Sequence, residues 1–190
     1  MTSTPTARDL TLAQILERQQ QAFLADPQPE AGIRRDRIQR LKHLVLDNAA
    51  EFTEAIREDY GCRPETLSTI TDIASSIPDL DHQRGHLARW MRPKRVSRAL
   101  DAVGFTQQVR HDPKGVVGII GPWNFPLYLT IVPAGSALAA GNRVMIRPSS
   151  VTAHTTEVLC RRAPEYFAVD ELAVAGPEHG RGSDFSRLPF

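Results

Sequence analysis

Residues 115–149 read GVVGIIGPWNFPLYLTIVPAGSALAAGNRVMIRPS, and the order of apolar runs and breakers in them decides the fold. Residues 116–120 are a short β-branched, apolar run of the kind that forms a buried strand. Gly121-Pro122-Trp123-Asn124-Phe125-Pro126 is dense in breakers and reads as a turn. Residues 126–140 then form an apolar helix, which Gly141-Asn142 can close in a left-handed conformation. Residues 144–146 are a second buried strand. Further on, Ser150 or Thr152 is placed to cap a helix carrying Val158, Leu159 and Phe167. A third strand follows at 172–175. Strand–helix–strand–helix–strand with wholly apolar strands predicts an α/β fold, a parallel sheet covered on both faces.

Upstream the text differs. Asp112-Pro113-Lys114-Gly115 is a turn joining two strands, the first of them over residues 104–111. Residues 91–98 are basic and read as a solvated connector. Before them lie three helical patterns, over 9–25, 33–60 and 65–90. Asp26-Pro27 stops the first, Gly61 caps the second, and Pro78 kinks or splits the third.

Residues 115–142 carry no charge, long enough for a membrane span of ~20 residues. Pro122, Pro126 and Pro133 break the run, so no membrane partner is expected. With 23 Lys+Arg against 22 Asp+Glu the net charge is +1, which argues against a nucleic-acid partner. Residues 1–10 have no apolar h-region and there are only two Cys, which fits a cytoplasmic, reducing setting. No spacing of His, Cys and acids suits a metal.

Ligands of open parallel sheets bind beyond the carboxyl ends of the strands. Two segments fall there, residues 121–126 and 147–150. The Asn124 amide either donates to a developing oxyanion or satisfies loop backbone, and turn statistics alone favour the second. Arg147 binds a phosphate or ribose, or pairs with a surface carboxylate. A Gly-x-Gly-x-x-Gly fingerprint is missing after the first strand. Cys62 and Cys160 both lack an evident base and read as incidental or buried thiols.

The Pro-Trp-Asn-Phe-Pro string at 122–126 and the Ala-Ala-Gly-Asn run at 139–142 together resemble the aldehyde dehydrogenase superfamily. The likeness covers essentially the whole chain and is nearest to the coniferyl aldehyde dehydrogenase branch. It implies an NAD- or NADP-dependent oxidation of an aldehyde, here an aromatic one, to a carboxylic acid. It also implies N-terminal helices (1–92), a strand arm (93–114) and a partial Rossmann-like cofactor-binding domain (115–190), a truncated N-terminal portion of such an enzyme. Asn124 matches the family's oxyanion-hole amide. Gly121, Pro122 and Trp123 match the turn beside the nicotinamide end. Arg147 stands where a ribose-binding Lys is usual. Ser150 stands where NAD-preferring members have Glu, which leaves NADP electrostatically admissible. The family's nucleophilic Cys, general-base Glu and cofactor loop match nothing in these residues. The expectations are no turnover by this chain alone, weak or no cofactor binding, and homo-oligomers in the family. A non-catalytic truncated or assembly module, with an aggregation-prone edge, is the alternative.

Overall fold

The computed structural model describes residues 6–96 and 105–190. A single turn at Ala7–Asp9 precedes α1 (Leu12–Ala25). Thr11 and Gln14 form the capping box that starts α1: Thr11 Oγ1 accepts from Gln14 N and Gln14 Oε1 accepts from Thr11 N.

The 33–60 pattern is two helices, α2 (Ala31–Asp47) and α3 (Ala49–Tyr60). The break falls at Asn48, whose side-chain amide donates to the Leu44 carbonyl (2.9 Å) and so competes with the helix backbone. Gly61 ends α3 in the left-handed conformation (φ 69°), as its place in the sequence predicts. The 65–90 pattern is also interrupted. A short α4 (Glu65–Ser68) runs into a π turn (Thr69–Ala74), and α5 (Ser76–Trp90) follows. The interruption lies ahead of Pro78 rather than at it. Pro78 sits in the first turn of α5, where its missing N–H is tolerated.

Part of the basic connector is a strand. β1 (Lys94–Arg95) pairs antiparallel with β2 (Gln108–Val109), which is shorter than the strand expected over 104–111: residues 105–107 and 110–111 are described and are not strand. Residues 97, 98 and 104 lie outside the described residues. The side chains of both strands are exposed, which fits the charge of Lys94 and Arg95, whereas Met91 packs against the core.

β3 (Val116–Ile120), α6 (Tyr128–Ala139), β4 (Arg143–Arg147), α7 (Ala153–Tyr166) and β5 (Leu172–Val174) follow in the order read from the sequence. A turn at Pro177–His179 and α8 (Gly182–Ser186) follow. The sheet order is β3-β4-β5, all parallel. Alternate residues bury opposite faces. Val144, Ile146, Leu172 and Val174 pack with Leu41, Leu80, Leu138 and Leu159 from α2, α5, α6 and α7. Met145, Ala173 and Ala175 pack with Ile15 and Leu16 of α1 and Phe185 of α8. Gln19 of α1 is wholly buried, and its Nε2 donates to the carbonyls of Val144 (2.8 Å) and Val169 (2.9 Å). Among the described residues no helix is long and apolar enough to cross a membrane.

The start of α7 departs from expectation. Thr152 stands at the cap position without a side-chain cap bond, and Ser150 does not cap either. Asp59 of α3 does so from across the fold, accepting from His154 N (2.8 Å) and Thr155 N (2.9 Å). A carboxylate at a helix N-terminus is favoured by the free N–H groups and the dipole there.

Glu171, just before β5, is clasped by α2. It accepts from Arg37 Nε (3.0 Å) and from Arg40 Nη1 (2.7 Å) and Nη2 (3.1 Å). Burial alone pushes its carboxyl up, but the hydrogen bonds from Arg40 and Arg37 outweigh burial and hold it below the usual value. A depressed folded-state pKa gives stability that is present above the unfolded value and lost as pH falls through the folded one. The urea midpoint is therefore expected to fall below about pH 4, with a shallower fall in Glu171→Gln. Parallel pH profiles of wild type and variant would refute this.

Candidate active site

Ile120 and Arg147 are register partners, so residues 121–126 and 147–150 leave the sheet side by side at its carboxyl edge. Gly121 N extends the ladder by donating to the Arg147 carbonyl (2.9 Å). A Cβ on Gly121 would lie 2.4 Å from Thr130 Oγ1, so only glycine lets α6 start this close to β3.

Beyond Gly121 the turn swings outward. Pro122 is half-buried, while Trp123 and Asn124 are exposed. The side-chain amide of Asn124 has no hydrogen-bond partner among the described residues; its contact is through its main-chain carbonyl, which accepts from Arg63 Nη1 (3.2 Å). The amide is therefore not spent on loop backbone. It is free to donate to a ligand.

Three residues that the spacing of the sequence did not single out hold this turn. The Tyr60 hydroxyl donates to the Trp123 carbonyl. Burial pushes that hydroxyl above the usual tyrosine value, so it remains a donor at neutral pH. Arg63 Nη2 pairs with Asp72 Oδ2 (2.7 Å), and its guanidinium lies over the rings of Tyr60 (5.0 Å) and Phe125 (5.5 Å). Asp72, with 0% of its side chain exposed, accepts at Oδ1 from Leu127 N and Tyr128 N, both 3.2 Å. It caps α6, whose cap residue Leu127 has no side chain for the task. Its carboxylate between Ile70 and Ile73 was the one signal available for Asp72.

Arg147 is 7% exposed, and the structure places it with neither a surface carboxylate nor open solvent. Nη1 donates to the carbonyls of Ala175 (2.9 Å) and Gly176, and Nη2 to that of Gly180 (2.6 Å). It ties the loop after β5 to the end of β4. Ser150 is exposed, and its hydroxyl has no partner among the described residues. Arg147, Ser149, Ser150 and Pro177 border a recess of about 230 Å³ that contains no carboxylate.

The thiols lie apart in character. Cys160 is 4% exposed, and burial pushes it up to about 12. Cys62 is exposed. An aromatic disulfide reagent at pH 8 is expected to label one thiol in the native chain and two in denaturant, because the thiolate is the reactive form. Rapid labelling of both in the native chain would contradict the burial of Cys160.

The chain matches the family described as "Aldehyde dehydrogenase family" over residues 1–171. It is 39% identical over 189 residues to the "Probable coniferyl aldehyde dehydrogenase" of Caulobacter vibrioides, covering 97% of this chain and 39% of that protein. It is 34% identical over 179 residues to the "Coniferyl aldehyde dehydrogenase" of Pseudomonas sp. strain HR199, covering 94% of this chain and 37% of that protein. The substrate-bound structure of Staphylococcus aureus AldH superposes with a TM-score of 0.86 at 23% identity, over 95% of this chain and 39% of that one. The chain belongs to the aldehyde dehydrogenase family, and it spans about two-fifths of the length of the curated relatives it matches.

Proposed function

We propose that this chain supplies the oxyanion-binding turn and the adenosine recess of an NAD(P)-dependent dehydrogenase for aromatic aldehydes, of which a coniferyl-type aldehyde is the leading candidate. The unpaired Asn124 amide at the carboxyl edge of the sheet carries this reading. An N–H held there can donate to an aldehyde oxygen as that oxygen gains charge. The substrate class follows the names of the relatives from Caulobacter and Pseudomonas.

The residues bordering the recess fit an adenosine ribose. Ser150 offers a free hydroxyl, and no carboxylate is present to repel a 2′-phosphate, so NAD and NADP are both admissible. Arg147 shapes the recess by fixing residues 175–180 through three of its five N–H donors, which leaves two for a ribose. Gly121, Pro122 and Trp123 would line the nicotinamide end. A nicotinamide held there would supply a hydride acceptor. The nucleophile and general base are not supplied by these residues: Cys160 is buried, and Cys62 is an exposed thiol with no hydrogen-bonded base among the described residues. We therefore read the domain plan as helices over 1–92, an arm over 93–114 and a partial cofactor domain over 115–190, in a cytoplasmic setting.

Joining residues 1–190 to the complementary part of the Caulobacter relative tests this. The chimera is expected to form reduced cofactor from coniferyl aldehyde, while the 190-residue chain alone forms none and binds NAD+ and NADP+ weakly. Turnover by the chain alone, or a well-folded but inactive chimera, would sink the reading.

A second reading, a non-catalytic module that associates with copies of itself, is favoured by the exposed Val96, Phe105 and Val109 on and beside the β1–β2 ribbon. A clean monomer in size-exclusion chromatography would remove it.

A further inference from the structure

The placement of Asn124 depends entirely on its backbone, because its amide is anchored to nothing among the described residues. Four main-chain groups bracket it, and each is held by a side chain from residues 60–72. Tyr60 holds the carbonyl of Trp123, Arg63 holds that of Asn124, and Asp72 holds the amides of Leu127 and Tyr128.

We propose that Tyr60, Arg63 and Asp72 are positioning residues that set the direction of the Asn124 amide; this rests on Asn124 being the oxyanion donor. Helix capping alone does not account for the arrangement. A Ser, Thr or Asp at position 127 would cap α6 locally. Instead a buried ion pair is used, with its attendant desolvation cost, and its cation reaches past its own anion to the Asn124 carbonyl. The Arg63 fork is divided among Asn124, Thr71 and Asp72, while its buried Nε is left without a partner. The guanidinium is thus oriented by the turn as well as by the carboxylate. Asp72 itself lies in the π turn at Thr69–Ala74, a geometry often found at functional sites.

Nuclear magnetic resonance of the 190-residue chain tests this. Arg63→Lys keeps the charge beside Asp72 but cannot fork to the Asn124 carbonyl. The backbone order parameters of Trp123 and Asn124 are expected to fall from about 0.85 to below about 0.6, with Leu127 and Tyr128 still protected. Asp72→Asn is expected to speed amide exchange at Leu127 and Tyr128 about ten- to hundredfold, the effect of weakening a charged hydrogen bond, beyond any change in the β4 amides. Should Asp72→Asn not fold, Tyr60→Phe replaces it, with loosening confined to Trp123 and Asn124. Exchange that rises uniformly with global unfolding, or an unmoved turn in Arg63→Lys, would overturn the positioning role. In the chimera, Arg63→Lys is expected to lower kcat while KM stays unchanged; equal loss of folded protein and activity would speak for a merely structural pair. Asn124→Ala separates the two ideas. If it leaves kcat intact although Arg63→Lys loosens the turn, the oxyanion reading fails alone. If it cuts kcat while the turn ignores Arg63 and Asp72, the positioning role fails alone.

Discussion

Asp72→Ala is expected to lower the unfolding free energy of the chain by about 3–5 kcal/mol, the range for removing one partner of a buried ion pair. The loss has two sources. Arg63, whose side chain is 9% exposed, keeps its charge but loses the carboxylate 2.7 Å away. The amides of Leu127 and Tyr128 lose their acceptor, which uncaps α6. Asp72→Asn retains an acceptor for those amides and should cost less. Urea denaturation followed by circular dichroism measures both. A loss below about 1 kcal/mol, the scale of an exposed salt bridge, would show that the pair does not support the turn.

Asn124→Ala in the chimera is expected to lower kcat by about 10²–10³, as removal of one oxyanion donor does. Stability should hardly change, within about 0.5 kcal/mol, because the side chain is exposed and its amide unpaired. That combination matters: a residue that only satisfied its loop would show the reverse, a stability loss with kcat preserved. Asn124→Asp is a harsher test, since a carboxylate faces the developing negative charge and cannot donate when ionised.

The parallel sheet was legible because its strands are short apolar runs separated by strong breakers. Gly121-Pro122 and Gly141-Asn142 end one element and start the next with local chemistry alone. The candidate turn was legible for the same reason. What the sequence could not display were bonds between distant segments. Asp59 caps a helix that starts 94 positions on, at Ala153 (153 − 59), so the nearby Ser150 and Thr152 looked like better caps than they are. The hold of Tyr60, Arg63 and Asp72 on residues 123–128 spans separations of 55 to 63 positions. Arg147 is a further case. The sequence left it between a phosphate or ribose and a surface carboxylate, and did not show the three carbonyls of the β5 loop that engage it. Asn48 shows the local limit: one side-chain bond to Leu44 splits a pattern whose apolar periodicity runs on unbroken.

Gln19 has a consequence in time. Its two bonds join α1 to carbonyls 125 and 150 residues further along. A ribosome adding about 5–20 residues per second needs roughly 6–30 s to supply those partners once α1 has been made. Until then Ile15 and Leu16, which end up beneath the sheet, lack Met145, Val169 and Ala173 from the cluster that buries them. α1 is thus made well before its final neighbours, and closing so long a loop before any reward slows that step. During synthesis α1 presents Ile15 and Leu16 before their partners exist, and a chaperone that shields α1 would act over that interval.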